Sequence, residues 1–192
     1  MIILRYGNTN TFFIPGSRGG LLVDTDYAGT LRAFCRALKE NGLKISDIGC
    51  VLATHYHPDH MGLIGELTGR GVGLLLIDTQ IDSVHSSDYI FARDGIPFAK
   101  IDEGKALVIG CEESRDFLAG MGIDGEIFST PSHSPDSVSL ILDSGECIAG
   151  DLEPFEYIAA YGGNAALESD WERIKSSGAK KVYYSHHGAQ DI

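Results

Sequence analysis

The segment Thr54-His55-Tyr56-His57-Pro58-Asp59-His60-Met61-Gly62 places three imidazoles and a carboxylate directly after an apolar run. Imidazoles at i and i+2 of an extended segment project to the same side, while Asp59 and His60, past a bend, turn toward a second position. Donors spaced this closely can hold two ions. Neutral imidazole with carboxylate oxygen and no thiolate suits zinc, and also iron or manganese, so ligand type alone leaves the metal open. A solvated polar loop is the ordinary reading of a lone histidine, and the density of donors here argues against it.

The elements that position these groups must come from an unremarkable globular composition. The 192 residues are 43% hydrophobic and 22% charged, which is enough apolar material for a sizeable core, and one domain is expected. Met1-Ile2-Ile3-Leu4-Arg5-Tyr6 lacks the basic-then-apolar pattern of a secretory leader, and no apolar run approaches the length of a bilayer span. A cytoplasmic protein without membrane contact is the expectation. Cys35, Cys50, Cys111 and Cys147 are scattered without CxxC spacing, so they are expected as core thiols rather than a disulfide frame or zinc knuckle. A net charge of −12, with no basic run to offset it, argues against nucleic acid as a partner. Bound metal would cancel part of that charge.

Short apolar runs separated by Asn, Pro and Gly predict strands at Ile2 to Leu4, Thr11 to Ile14 and Leu21 to Asp24. Leu31, Phe34, Cys35 and Leu38 fall on one face of a helix that ends near Gly42. A buried strand from Ile48 to Ala53 delivers the histidine cluster, and a single helix is expected from Asp59 to Gly69. A strand at Val72 to Ile77 precedes an irregular stretch, 78–104, which reads equally as a lid over the site or as an ordinary connection packed on the core. A strand near Leu107 to Ile109, a helix from Glu112 to Met121 and a strand at Glu126 to Ser129 follow. Asp143-Ser144-Gly145 predicts a hairpin between Val138 to Leu142 and Glu146 to Ala149. A last helix between Asn164 and Ser176 presents Leu167, Trp171 and Ile174 inward, and a strand at Lys181 to Ser185 closes the pattern. Two sheets sandwiched between helices, an α+β architecture, is the predicted arrangement.

His55-x-His57-x-Asp59-His60 resembles the HxHxDH signature of the metallo-β-lactamase superfamily. The resemblance implies a four-layer αβ/βα sandwich over residues 1–192 as a single domain, with metals at the edge between two central sheets. It also implies further ligands. Thr130-Pro131-Ser132-His133-Ser134-Pro135-Asp136-Ser137 is similar to the second metal motif and assigns His133 to a site with His55 and His57, although Ser132 and Asp136 stand where glycine is often seen. Gly150-Asp151-Leu152 resembles the motif whose aspartate bridges two metals. His186-His187-Gly188 resembles the terminal histidine motif. Because the family ligand commonly stands directly before a glycine, His187 is assigned to metal and His186 to substrate, as an acid or orienter. Asp24 matches a family aspartate that braces the metal loop, and a turn or helix-cap role fits it equally. His85 reads as a surface or structural histidine.

The implied activity is hydrolysis by a metal-bridging hydroxide, acting on a small ester, thioester, lactone or related substrate. Two divalent ions are expected, with zinc the first choice. Asp59 would orient the nucleophile, and His186 or Tyr56 would help a leaving group. No GxSxG elbow, Walker A loop or GxGxxG turn competes with this reading. Two alternatives come from other classes: an iron-dependent oxidoreductase or dioxygenase on the same ligands, and a non-enzymatic metal-binding sensor. The chain stops five residues after His187, so no appended substrate-binding domain is expected. The partner would be a small-molecule substrate, and the oligomeric state stays open, a homodimer included.

Overall fold

The central strands of this chain, such as β2, β3 and β8, are buried at nearly every position because both of their faces are covered. The computed structural model of the protein describes residues 1–160 and 162–192. Strands β1 (Ile2–Leu4), β2 (Thr11–Ile14) and β3 (Gly20–Val23) are joined antiparallel; β4 (Ile48–Leu52), β5 (Gly73–Ile77) and β6 (Leu107–Ile109) continue the same sheet in parallel. The second sheet has the order β11 (Gln190–Asp191), β10 (Lys181–Tyr183), β9 (Glu146–Ile148), β8 (Val138–Leu142), β7 (Gly125–Ser129), with only β9 and β10 parallel.

Alternate residues of each strand serve different layers, as the pleat requires. Phe12, Ile14, Leu21, Val23, Leu52, Leu75 and Ile77 of the first sheet meet Ile127, Val138, Leu140 and Ile148 of the second in the central core. Their neighbours Phe13, Leu22, Val51, Leu74 and Leu76 face outward. There they meet helices α1 (Leu31–Glu40), α2 (Pro58–Met61), α3 (Ile64–Thr68) and α4 (Asp88–Arg93). After α5 (Ser114–Met121), whose Leu118 and Met121 extend the central core, come α6 (Tyr157–Ala160) and α7 (Ala165–Ser176). From α7, Leu167, Trp171 and Ile174 cover the outer face of the second sheet with Phe128, Ile141, Cys147 and Val182. The layers are helices, sheet, sheet, helix, the αβ/βα sandwich expected from the sequence.

Three local expectations are corrected. The helix expected from Asp59 to Gly69 is two helices, α2 and α3, broken at Gly62 and Leu63. Thr25 causes the break: its amide donates to the His60 carbonyl at 2.9 Å, and its hydroxyl accepts the Leu63 amide at 3.2 Å. Cys35 is exposed, since the buried face of α1 centres on Phe34, Ala37 and Leu38. Tyr183 ends the last long strand, before Ser185. The short β11 and α6 were not anticipated.

The 78–104 stretch folds as a 3-10 turn (Asp78–Ser83), then α4, and is packed rather than free. Val84, Phe91 and Ile101 are buried in the outer core. Tyr27 meets Phe91 edge-on and Phe98 lies tilted against it, with ring centroids 5.0 and 4.6 Å away. His85 ties this stretch together, pairing with Asp88 at 2.9 Å and Glu103 at 2.8 Å. Among the described residues, no helix is long and apolar enough to cross a membrane.

Candidate metal centre

Five strands, β3, β4, β7, β9 and β10, discharge their C-terminal ends toward one edge of the sandwich, the place where α/β folds commonly bind ligands. β4 leads through Ala53 and Thr54 into His55; β9 leads into Gly150 and Asp151; β10 leads into Ser185 and His186; the loop after β7 carries His133. The two sheets therefore contribute separate donors to one cluster.

His55, His57 and His133 form one group, His55, His60 and Asp151 a second, and Asp59, His60 and His186 a third, with ligand atoms inside each group within 4.8 Å of one another. His55 Nε2 lies 2.9 Å from His57 Nδ1, and His133 Nε2 lies 3.2 Å from the same atom. Asp151 sits between the groups. Its Oδ2 is 3.3 Å from His60 Nε2 and 3.9 Å from both His55 Nε2 and His133 Nε2, while its Oδ1 is 3.4 Å from His186 Nε2. Asp59 Oδ2 approaches His186 Nε2 to 3.1 Å.

The far side of three rings is pinned. His60 Nδ1 donates to Asp24 Oδ2 at 2.9 Å, His55 Nδ1 to Thr54 Oγ1 at 3.2 Å, and His186 Nδ1 to the Asn8 carbonyl at 3.1 Å. Each bond fixes the ring so that Nε2 faces the cluster. Asp24 is the hub of this support. It is fully buried on a left-handed backbone (φ 59°), and its oxygens also accept the Thr54 amide (2.6 Å), the Thr54 hydroxyl (2.9 Å) and the Ser185 hydroxyl (2.9 Å). Gly150, with φ 58°, packs on Thr54 so closely that a Cβ there would fall 2.6 Å from its hydroxyl oxygen. The absence of a side chain at this turn brings Asp151 against the histidine loop.

Burial and the surrounding histidines hold His55 below the ordinary imidazole range. Burial depresses His133 as well. Burial also works against a charged His60, yet Asp24 and Asp151 outweigh it and raise the group to about 10. The Asp151 carboxyl, which burial alone would push up, is held low by His60, His186 and His133. His60 Nε2 and Asp151 Oδ1 are buried and complete no hydrogen bond among the described residues. Lone pairs converging at about 3 Å, together with buried donors left without a bond, are the arrangement that divalent cations satisfy. The donor set, five imidazoles and two carboxylates, fits two such ions.

Of the residues expected at the site, the structure brings His55, His57, Asp59, His60, His133 and Asp151 together. It does not bring His187. That residue is exposed, its ring 6.2 Å from Tyr184, and His186 takes the place expected for it. Tyr56, expected to assist a leaving group, lies in the outer core at 1% exposure. Its hydroxyl has no hydrogen-bond partner among the described residues, and burial pushes it above the ordinary phenol range.

Several supports were not read from the sequence. Buried Asp136 accepts the Tyr56 amide at 2.7 Å and the Ser134 hydroxyl at 2.8 Å, locking the His133 loop to the first histidine loop. Buried Gln80 donates to the carbonyls of Ala53 (2.9 Å) and Asp136 (3.1 Å). Asp170 of α7 accepts the Ser132 amide at 2.8 Å. Asp26 accepts the Asn8 amide at 3.1 Å, which steadies the carbonyl behind His186. Only Asp136 left a signal, as an aspartate where the resemblance leads one to expect glycine.

Fold and cluster together define a sandwich that carries metal-binding groups at its strand ends. The chain belongs to the metallo-beta-lactamase superfamily, whose profile matches residues 4–186. Among curated proteins it is similar to the probable metallo-hydrolase MJ0888 of Methanocaldococcus jannaschii, with 29% identity over 161 residues, 82% of this chain and 71% of that one. It is also similar to the hydroxyacylglutathione hydrolase of Rhodopseudomonas palustris strain BisB5, with 25% identity over 70% of this chain and 42% of that one. Apart from MJ0888, the chain spans about half the length of the curated relatives it matches. Among solved structures, TTHA1623 in a di-iron-bound form superposes with a TM-score of 0.71 at 19% identity, covering 99% of this chain and 93% of that one.

Proposed function

We propose that this chain is a dinuclear metal-dependent hydrolase acting on a small ester, thioester, lactone or related substrate. The supporting observation is the position of Asp151, whose two oxygens face the donor groups on either side of it. Two divalent ions held there supply a water acidic enough to ionise near neutral pH and a Lewis acid for a carbonyl oxygen. The chain does the rest. Asp24, Thr54 and the Asn8 carbonyl hold three rings with Nε2 turned toward the cluster before any ligand arrives. His55 and His60 form the buried floor, and exposed His57, His133 and His186 form the rim from which substrate approaches. Asp59, about one-third exposed at that rim, is placed to accept a hydrogen bond from the attacking water and to aim it.

Zinc-, manganese- and iron-loaded protein offered ester, thioester, lactone and phosphodiester substrates tests the proposal. Hydrolysis is expected, with loss in His57→Ala and Asp151→Ala; full activity in either variant overturns the reading. The solved structure with two irons motivates one competing reading, oxidation chemistry on the same donors. Elemental analysis combined with oxygen uptake by the iron-loaded protein separates the two.

A further inference from the structure

Two adjacent histidines follow β10, and only His186 reaches the donor cluster. The chain bends through Ser185, His186 and His187, so the direction of that bend decides which ring turns inward. Packing beyond the pair leaves the direction open, since a Cβ on Gly188 would meet nothing within 4 Å. Hydrogen bonds make the choice, and they converge on the loop between β1 and β2. The Asn10 main-chain amide donates to the Ser185 carbonyl at 2.7 Å. Its side-chain Nδ2 donates to the Tyr184 carbonyl at 2.9 Å and to the His187 carbonyl at 3.3 Å. One side-chain amide thus grips the backbone on both sides of His186, using both of its hydrogens.

The ring itself is met by the same loop. His186 Nδ1 lies 3.1 Å from the Asn8 carbonyl, and its Nε2 lies 3.1 Å from Asp59 Oδ2 and 3.4 Å from Asp151 Oδ1. Asn8 is set in turn by buried Asp26, whose Oδ2 accepts the Asn8 amide at 3.1 Å and whose Oδ1 accepts the Tyr27 amide at 2.7 Å. Gly7 permits this approach, because a Cβ there would overlap Asp26 Oδ2.

Resting on the two-ion reading above, we propose that Asn10 is a positioning residue that selects His186 over His187 as a ligand of the ion that Asp59 and His60 also face. Without its side chain, Ser185 is still held, by the Asn10 main-chain amide, the Gly150 carbonyl and Asp24. The His187 carbonyl is released, and with it the bend. His186 then leaves the Asn8 carbonyl more often, and exposed His187 competes for its place. The group of His55, His57 and His133 hangs from the loops after β4 and β7 and keeps its ion.

Zinc titration and histidine reactivity test the proposal together. Asn10→Ala is expected to weaken one zinc equivalent about tenfold and to leave the other unchanged. Carbethoxylation of the chelated protein by diethyl pyrocarbonate, read at each histidine by tandem mass spectrometry, reports orientation without metal. In the wild type His187 is expected to react severalfold faster than His186, and in Asn10→Ala the ratio is expected to approach one. Buried His55 and His60 should stay protected in both proteins; reactivity rising there as well would make Asn10 a general stabiliser and overturn the selection. Asn10→Ser, which retains one donor, is expected to shift both readouts the same way by less, should Asn10→Ala fail to fold. An unchanged reactivity ratio, or two unaltered zinc affinities, overturns the proposal. If the wild type holds fewer than two zinc ions, the two-ion reading is what fails, and the reactivity ratio still decides whether Asn10 orients the pair.

Discussion

Asp24 accepts four hydrogen bonds, from Thr54 twice, from Ser185 and from His60, and so ties three strand ends into one frame. Asparagine can adopt its left-handed backbone, but would turn an NH2 group on donors that need an acceptor. Asp24→Asn is therefore expected to keep the fold while losing about 2–4 kcal/mol in denaturant unfolding and roughly 10–100-fold in metal affinity by titration. The adjacent histidines give a sharper contrast: His186→Ala is expected to empty one of two metal equivalents in elemental analysis, and His187→Ala to leave both. Equal occupancy in the two variants would contradict the geometry. The sequence could not separate this pair, because the deciding contact is the Asn8 carbonyl, 178 residues away. The first histidine loop was legible for the opposite reason, its donors being neighbours in the chain. Tyr56 was misplaced by that same nearness: being adjacent to two site histidines says nothing of which way a ring points, and Ser87, donating to its carbonyl at 2.7 Å, helps hold its backbone over the outer core.

Strands were easier to anticipate than the ends of helices. A strand covered on both faces announces itself as an apolar run, and nearly all of the longer strands stand where such runs predicted them. Helix ends depend on what else competes for their backbone groups, as between α2 and α3, where Thr25 captures the His60 carbonyl and the Leu63 amide. Gly62 makes this possible, since a Cβ there would sit 2.3 Å from the Ala28 amide nitrogen. Gly62→Ala is expected to push the Asp26–Ala28 turn away, destabilising the protein by about 1–3 kcal/mol in urea unfolding. It should also loosen metal binding at His60, because that turn and the histidine share Thr25. An unchanged midpoint would show that the turn yields freely. The 78–104 stretch was ambiguous for a different reason: its anchors, Val84, Phe91 and Ile101, have no common period and are buried singly between polar turns.

The two sheets meet through an apolar core, but at the site edge they are joined by polar donors: His55, His57, Asp59 and His60 come from the first sheet, and His133, Asp151 and His186 from the second. Ions bound across that seam favour the folded chain by mass action, by about 4 kcal/mol at a thousandfold excess over Kd. Chelation is accordingly expected to lower Tm by roughly 10 °C for a chain of this size. The gap between loaded and chelated protein should also depend on pH. Without metal, Asp24 and Asp151 overcome burial and keep His60 protonated up to about 10, whereas the unfolded chain releases that proton near the ordinary imidazole value of about 6.5. This contribution to the chelated protein is thus full below the unfolded value and lost as pH rises through about 10. A metal ion must displace the same proton, so its apparent affinity tightens about tenfold per pH unit across that window. The stability difference should therefore widen by about 1.4 kcal/mol per unit between pH 7 and 9. Calorimetric unfolding with zinc and with chelator at pH 7, 8 and 9 measures it, and titration in buffers of different ionisation heat should show a proton released on binding. A constant gap and no released proton would mean that His60 is neutral in the metal-free protein, and that Asp24 only orients the ring without charging it.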